Sequence, residues 1–264
     1  MKPIICILVL FAATSVSRSA PAPQQAHVFD ASLTHRVHLS YLLFLPATYA
    51  TSQEARWPLI LYLHGGSLRG DDVERLRTLG LPHELESKPD FPFVVVSPQC
   101  PLGEIWTDAK AVDALLASVI HDYRIDPDRV YITGHSMGGR GALYLAYQLP
   151  SRFAAVLALS PLSPITAWAG KLAQIPLWLF HGTADTIAPV ADTKELAQAI
   201  EAAGGHPRFD NLRGRDHYIL DVYQRRDIYQ WLLQHKRSAS VGQRPCETPN
   251  QSLEPTAGRC EVHI

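Results

Sequence analysis

The sequence carries almost no net charge. Its 24 lysine and arginine residues are balanced by 25 aspartate and glutamate residues, which gives a formal charge of -1 at neutral pH. A protein that holds nucleic acid or an anionic membrane by electrostatic attraction needs an excess of basic residues. The balance therefore excludes a nucleic-acid partner, and a hydrophobic fraction of 47% is typical of a globular enzyme.

The sequence also lacks the motifs that mark common cofactors. It has no H-E-x-x-H zinc motif, no glycine-rich dinucleotide fingerprint and no P-loop. It has no internal repeat either, which excludes a repeat array built for binding. We therefore expect neither a metal nor an organic cofactor.

Long apolar runs are missing as well, and the run near the N-terminus is too short to span a membrane comfortably. Lys2 precedes apolar residues 4–13, and small residues follow at 15–20. This order predicts a secretory signal peptide over residues 1–22, with cleavage between Ser17 and Ala26, and a secreted or periplasmic protein. The alternatives are a buried first strand or an uncleaved anchor.

Cysteine is scarce, with four residues in the chain. Cys6 would leave with the signal peptide, and Cys100 follows a predicted strand, so we expect a buried free thiol there. In an oxidising compartment Cys246 and Cys260 could pair, although sequence alone does not fix the connectivity.

Strands and helices alternate through the rest of the chain. Five apolar runs are typical of strands buried on both faces of a parallel sheet, at residues 59–63, 93–96, 129–133, 155–159 and 176–180. An edge strand at 37–45 and a last strand at 208–212 complete the set. Helical periodicity occupies residues 111–123, 139–148, 192–203 and 224–235. The pattern predicts a doubly wound, mostly parallel α/β sheet in a catalytic domain over residues 27–237, and the polar, aperiodic residues 238–264 predict a disordered tail.

The strongest local signal is the pentapeptide Gly-His-Ser-Met-Gly at residues 134–138. It lies directly between a predicted strand and a predicted helix, which is the context that a G-x-S-x-G nucleophile motif requires. The sharp turn exposes the hydroxyl of Ser136 at the carboxyl edge of the sheet. The N–H of Met137 lies at the N-terminus of the helix, where an anion is favoured, so Met137 is a candidate oxyanion-hole donor.

A second oxyanion donor is expected from the loop after an earlier strand. His64, Gly65, Gly66 and Ser67 follow the run at residues 59–63, and glycine lets the main chain approach the nucleophile closely. Gly66 and Ser67 are therefore candidate donors, without a choice between them. We expect His64 to brace this loop by hydrogen bonding rather than to take part in the chemistry.

A serine nucleophile needs a histidine base and a carboxylate behind it. Asp185 follows the strand at 176–180, and His217 follows the last strand, so both would reach the carboxyl edge near Ser136. The competing histidines do not follow strands (His121, His206, His235 and His263). The carboxylate assignment is more open, since other aspartates lie near it in sequence (Asp192, Asp210 and Asp216).

Further stretches resemble one group of enzymes. Residues 64–72 (HGGSLRGDD), residues 97–101 (SPQCP) with Trp106, and residues 126–131 (DPDRVY) before the pentapeptide resemble the secreted prolyl-oligopeptidase-like and polyhydroxybutyrate-depolymerase-like esterases of the α/β-hydrolase superfamily. The resemblance extends over residues 37–235 and implies an α/β-hydrolase fold. It also implies Ser136, Asp185 and His217 as the catalytic triad.

Two positions depart from the pattern of that group. Ser67 stands where a third glycine is expected, which puts the oxyanion geometry in question, and Arg215-Asp216 stands where a glycine usually precedes the histidine. Trp106 is a candidate for lining the substrate groove, with a packing anchor as the equal alternative.

The predicted activity is hydrolysis of a carboxylic ester, small or polymer-attached, by a serine hydrolase. A serine peptidase of the prolyl-oligopeptidase-like type is the alternative, and a non-catalytic binding protein is a third reading that the complete set of catalytic residue types disfavours. Only residues 161–174 separate two strands where other hydrolases insert a lid. We therefore expect no large cap domain and a preference for short or aromatic acyl groups.

Overall fold

The computed structural model describes residues 36–51 and 55–237. The predicted signal peptide, the predicted tail and the pairing of Cys246 with Cys260 lie outside these residues. Cys100 is a buried free thiol, as predicted, and burial raises its pKa to about 11.

Seven strands of the described residues form one sheet in the order β1-β3-β2-β4-β5-β6-β7. Strand β1 at one edge runs antiparallel to β3, and the other neighbouring pairs are parallel. The strands are β1 (Tyr41–Phe44), β2 (Trp57–Leu63), β3 (Val94–Pro98), β4 (Ile125–His135), β5 (Ala155–Leu159), β6 (Leu177–Gly182) and β7 (Arg208–Leu212). The predicted edge strand, parallel sheet and last strand are confirmed.

Helices cover both faces of this sheet, so the predicted doubly wound arrangement is confirmed. They are α1 (Gly80–Leu85), α2 (Ala109–Asp122), α3 (Met137–Gln148), α4 (Ala169–Leu172), α5 (Val190–Ala202) and α6 (Arg226–Leu233). One apolar core includes residues of α2, α3 and α5, and the other includes residues of α1 and α6. Within the described residues, no helix is long and apolar enough to cross a membrane.

Side-chain alternation along the central strands explains the two cores. In β2, Leu59, Leu61 and Leu63 belong to the first core, whereas Ile60 and Tyr62 belong to the second. Successive side chains of a strand point to opposite faces, so a strand between two helical layers must be apolar throughout. This is why these strands appear in the sequence as unbroken apolar runs.

The interval between β5 and β6 holds a 3-10 turn (Thr166–Trp168) followed by the four-residue helix α4. The expectation of a fold without a large cap is therefore confirmed at this position. The parallel strands β4, β6 and β7 end at the same edge of the sheet, and this edge carries the residues considered next.

Candidate active site

Ser136 occupies the sharp turn between β4 and α3. Its backbone has φ 58° and ψ -120°, a conformation that a non-glycine residue adopts only when the surroundings enforce it. The N–H of Ser136 donates to the carbonyl of Leu159 across 2.9 Å, and the carbonyl of Ser136 accepts from the N–H of Leu162 across 3.2 Å. Strand β5 and the loop after it therefore hold the strained turn in place.

The two glycines of the pentapeptide are required by close packing. A Cβ on Gly138 would lie 1.9 Å from the carbonyl oxygen of Leu63, and one on Gly134 would lie 2.4 Å from the carbonyl oxygen of Gly138. Real Cβ atoms do not approach this closely, so only glycine allows the first turn of α3 to pack against the end of β2. This packing brings Ser136 next to the loop that follows β2.

Asp185 and His217 form a hydrogen-bonded pair at the ends of β6 and β7. Nδ1 of His217 lies 2.7 Å from Oδ2 of Asp185, the carboxyl side chain is fully buried and the imidazole is 4% exposed. The other oxygen, Oδ1, accepts from the N–H groups of Ile187 and Ala188, each at 2.8 Å. Because Nδ1 faces a carboxylate, it carries the proton and donates, which leaves Nε2 as the acceptor of the ring.

The surroundings of Asp185 favour its ionised form. Burial alone would raise the pKa of this carboxyl, but donation from the N–H of Ala188, from His217 and from the N–H of Ile187 outweighs burial and holds the pKa below its ordinary value. Asp185 is therefore an anion at neutral pH, suited to orient His217 and to stabilise its protonated form.

His181 is a second histidine on the same carboxylate, and sequence reasoning gave it no role. It is fully buried at the end of β6, and its Nε2 lies 3.0 Å from Oδ2 of Asp185 and 2.9 Å from the carbonyl oxygen of Ala188. The Nε2–H of His181 donates to the carbonyl of Ala188, so its approach to Asp185 is a close contact rather than a second hydrogen bond. Its Nδ1 lies 2.8 Å from the hydroxyl of Thr193 in α5, which fixes the ring.

Contacts between loops hold the loop before His217 against the end of β6. The N–H of Ala184 donates to the carbonyl of Arg215 across 2.8 Å, and a Cβ on Gly182 would lie 2.2 Å from the carbonyl oxygen of Asp216. The space for Arg215-Asp216 is thus provided by Gly182. The missing glycine before His217 leaves the pairing of His217 with Asp185 intact.

The loop after β2 is held by side-chain donors at six consecutive carbonyl groups. In each pair the first residue provides the carbonyl and the second provides the side-chain donor. The pairs are His64 with Trp106, Gly65 with His64, Gly66 with Arg69, Ser67 with Arg75, Leu68 with Gln99, and Arg69 with Arg75. In a trans peptide the N–H points opposite to the carbonyl. The N–H groups of this loop therefore point away from the side chains that donate to its carbonyls. In the described part of the chain, no protein acceptor bonds the N–H groups of Gly66, Ser67 or Met137.

His64 braces this loop, as expected from the sequence. Its Nε2 accepts from the N–H of Cys100 across 2.9 Å, and its Nδ1 donates to the carbonyl of Gly65 across 2.7 Å. Burial lowers the pKa of His64 to about 4, so the ring is neutral. Trp106 packs edge-on against His64 at 5.1 Å and lies in the wall of a neighbouring cavity rather than in the one at Ser136.

Ser136 and His217 line the same cavity, which has a volume of about 170 Å³. Gly66 and Ser67 also line it, so the structure brings four of the predicted site residues together there. Sequence reasoning missed several further lining residues, among them Tyr62, Leu79, His135, Ile187 and Tyr218. A drug-sized ligand needs a pocket of about 300–1,000 Å³, so this cavity suits a small group.

His135, the second residue of the pentapeptide, packs against His217. Its Nε2 donates to the carbonyl of His217 across 2.8 Å, and the two ring centroids lie 4.8 Å apart. Burial lowers the pKa of His135 to about 4. A neutral ring with Nε2–H leaves Nδ1 as an acceptor in the wall of the cavity.

The described residues contain no group of three or more His, Cys, Asp or Glu side chains arranged to hold a metal ion. The chemistry available from the side chains present is that of a serine activated by a histidine and a buried carboxylate. Gly66, Ser67 and Met137 provide N–H groups near Ser136 that have no protein acceptor among the described residues.

Comparison with known proteins finds esterases. The family model described as "Putative esterase" matches residues 87–202, a stretch that contains Ser136 and Asp185. The chain is 30% identical over 172 residues to "Probable feruloyl esterase C" of Aspergillus terreus, which covers 62% of each protein. It is 33% identical over 110 residues to "Cutinase 2" of Thermobifida cellulosilytica, covering 38% of this chain and 39% of the cutinase.

A solved structure titled "Crystal Structure of a Thermostable Esterase" superposes with a TM-score of 0.67 and 25% identity, covering 75% of this chain and 60% of that one. Each of these matches spans less than two thirds of the length of the other protein.

Proposed function

We propose that this chain, which is an esterase-like α/β hydrolase, cleaves carboxylic esters through an acyl-enzyme intermediate on Ser136. One observation carries the proposal. Ser136, in a strained strand-to-helix turn, lines the same small cavity as His217, whose Nδ1 is held by the buried carboxylate of Asp185. This is the constellation that turns a weak hydroxyl nucleophile into a reactive one.

In the first half of the reaction, Oγ of Ser136 attacks the ester carbonyl carbon and its proton passes to Nε2 of His217. The carbonyl oxygen becomes an oxyanion, which the N–H of Met137 and an N–H of Gly66 or Ser67 stabilise. Collapse of this intermediate breaks the bond to the alcohol oxygen. The alcohol leaves with the proton from His217, and the acyl group stays on Ser136.

In the second half, water takes the place of the alcohol. His217 removes a proton from the water as it attacks the acyl-enzyme, and the same N–H groups stabilise the second oxyanion. Collapse returns the proton from His217 to Oγ of Ser136 and releases the carboxylic acid. Asp185 stays ionised throughout and stabilises the imidazolium that forms in each half.

The size of the site favours short or aromatic acyl groups. The cavity at Ser136 is small, and the interval between β5 and β6 contributes one short helix instead of a lid. A long acyl chain would extend beyond this cavity, and each methylene left in water forgoes about 0.8 kcal/mol of binding. An open site also admits an ester attached to a polymer, which agrees with the names of the cutinase and feruloyl esterase relatives.

Steady-state kinetics across acyl chain lengths tests this function. The substrates are 4-nitrophenyl acetate, butyrate, octanoate and palmitate, each below and above its aggregation concentration, together with a methyl ferulate assay. We expect kcat/KM to be highest for the short or aromatic esters and to show no jump at aggregation. A rise toward palmitate with such a jump would reveal a lid or a deep acyl pocket instead.

The peptidase alternative is tested in the same assay format. The 4-nitroanilides of short peptides present an amide in place of the ester. We expect hydrolysis of the esters and no measurable release of 4-nitroaniline. Cleavage of the anilides at rates comparable with the esters would make the chain a peptidase.

We also propose export from the cytoplasm, with residues 1–22 removed. The support is the sequence order of Lys2, apolar residues 4–13 and the small residues after them. N-terminal sequencing of protein recovered from the periplasm or medium should begin between residues 18 and 27. Recovery of a protein with its first 22 residues intact would contradict cleavage.

A further inference from the structure

A second cavity lies beside the first turn of α3. It has a volume of about 250 Å³, and Met137, the residue after Ser136, forms part of its wall. Three residues that line this cavity belong to the apolar core that includes residues of α2, α3 and α5: Trp106, Met137 and Trp168. The cavity at Ser136 contains Tyr62, which belongs to the opposite core. Ser136 lines one cavity and Met137 lines the other, so the two cavities meet the chain at neighbouring residues.

Arg140, a half-buried cation, lies in the wall of this second cavity. Its Nε is buried without a hydrogen-bond partner, and among the described residues its side chain has no ion pair. No aspartate or glutamate lines the cavity. Removing part of a guanidinium from water without an anionic partner is costly. A group that supplies the missing negative charge would remove that cost.

Aromatic rings form another part of the wall. Trp168 and Tyr144 lie with their ring centroids 5.5 Å apart, and the Arg140 guanidinium lies 5.9 Å from the centroid of Trp168. Ile105 and Ile165, both exposed, stand at the rim. These surfaces suit a flat aromatic ring, which gains apolar burial and ring contacts here.

We propose that this cavity binds the acyl part of the substrate, and that this part is an aromatic acyl group carrying a free carboxylate that pairs with Arg140. The inference rests on the proposed ester hydrolysis at Ser136. The alcohol oxygen must lie next to His217 to receive its proton, and His217 belongs to the first cavity. The acyl group therefore extends away from His217, toward Met137 and the second cavity.

The test compares two activated esters that differ in charge alone. One is the 4-nitrophenyl ester of terephthalic acid with its second carboxylate free, and the other has that carboxylate as its methyl ester. The quantity of interest is the ratio of kcat/KM for the charged ester to kcat/KM for the neutral one. Hydrogen bonds to charged groups are the stronger ones in proteins, so we expect the ratio to fall about tenfold or more in Arg140→Met and by less in Arg140→Lys.

Lys171 provides the matched control. It is also a cation beside an aromatic ring, 4.5 Å from the centroid of Tyr147, but it does not line the cavity. Lys171→Met should leave the ratio within twofold of wild type. An unchanged ratio in Arg140→Met, or an equal fall in Lys171→Met, would overturn the assignment of the cavity.

A binding measurement separates this inference from the proposed function. Calorimetry with monomethyl terephthalate compares Ser136→Ala with the double variant that also carries Arg140→Met. We expect binding that the second substitution weakens about tenfold. If wild type hydrolysed neither ester while this difference persisted, the proposed function would fail and the carboxylate site would stand. Equal affinity in the two variants would overturn the site whatever the hydrolysis assay shows.

Discussion

Nε2 of His181 lies 3.0 Å from Oδ2 of Asp185, the same carboxylate oxygen that faces His217. The carboxylate accepts hydrogen bonds from His217 and from the N–H groups of Ile187 and Ala188, and the His181 ring packs against it. Three donors and this ring leave it little freedom to turn. We interpret His181 as a positioning residue that keeps Asp185 aimed at His217.

Replacing His181 should therefore lower turnover without weakening substrate binding. In His181→Leu we expect kcat to fall by up to about tenfold, because the carbonyl of Ala188 loses its hydrogen bond in the loop that holds Asp185, and a lost hydrogen bond costs on the order of 0.5–1.5 kcal/mol. KM should stay within twofold. His181→Gln, which can still donate to the carbonyl of Ala188, should recover part of the loss. If the two variants had equal kcat, the role of His181 would be packing alone.

The side-chain donors on the loop after β2 lead to a second expectation. Arg75 donates to the carbonyls of Ser67 and Arg69, and Arg75→Met should free both. Loss of an oxyanion donor costs roughly 10²- to 10³-fold in kcat, so a loosened loop should cost about tenfold, with little change in KM. Steady-state kinetics on 4-nitrophenyl butyrate gives both constants.

Arg77 supplies the matched control for Arg75. It lies in the same 3-10 segment (Val73–Thr78), and it pairs with Glu74 and Glu86 rather than with the loop. Exposed ion pairs contribute little, so Arg77→Met should keep wild-type kcat. Equal losses in Arg75→Met and Arg77→Met would show a general effect of removing positive charge from this segment.

The depressed pKa values of two buried histidines make stability depend on pH. Burial lowers the pKa of His64 and of His135 to about 4, against about 6.5 for an unfolded histidine. Between these values the unfolded chain binds more protons than the folded one, so stability is complete above pH 6.5 and falls as the pH drops toward 4. Each histidine should cost about 2 kcal/mol between pH 7.5 and pH 5.

Urea unfolding at pH 7.5, 6 and 5 measures this loss. The carboxyl of Asp185 has a pKa below its ordinary value, so its contribution is lost only at lower pH and does not overlap this window. His135→Gln should remove about half of the pH dependence, whereas replacing the exposed His121 should not. A free energy of unfolding that is constant from pH 7.5 to 5 would contradict neutral, buried histidines.

The elements of the sheet were predictable because each one carries its own signal. Strand β5 has the predicted bounds, within an apolar run that begins at Phe153 and ends before Ser160. Strand β6 is longer than its apolar run, because His181 pairs with Asn211 of β7 and a polar residue at the end of a strand looks like a loop. Helix α1 was missed, because it is short and begins at Gly80 with a positive φ.

The residues of the site also divide into those that the sequence identifies and those that it does not. Ser136, Asp185 and His217 lie at strand ends, where motif spacing and chain order identify candidates. Arg75 and Gln99 act on the loop after β2 through side-chain contacts to main-chain carbonyls, and these contacts leave no pattern in the sequence. The same holds for Arg140, whose importance follows from its place in a cavity wall that contains no acidic residue and from its Nε, which has no hydrogen-bond partner among the described residues.

The most direct test of the account is the turnover of 4-nitrophenyl butyrate by Ser136→Ala relative to wild type. Circular dichroism and thermal unfolding should show the fold retained, and Ser118→Ala, a change on the exposed side of α2, serves as the control. If Ser136 is the nucleophile activated by His217 and Asp185, turnover falls by roughly 10³- to 10⁶-fold. A Ser136→Ala enzyme within tenfold of wild-type turnover would show that the ester is cleaved without this serine.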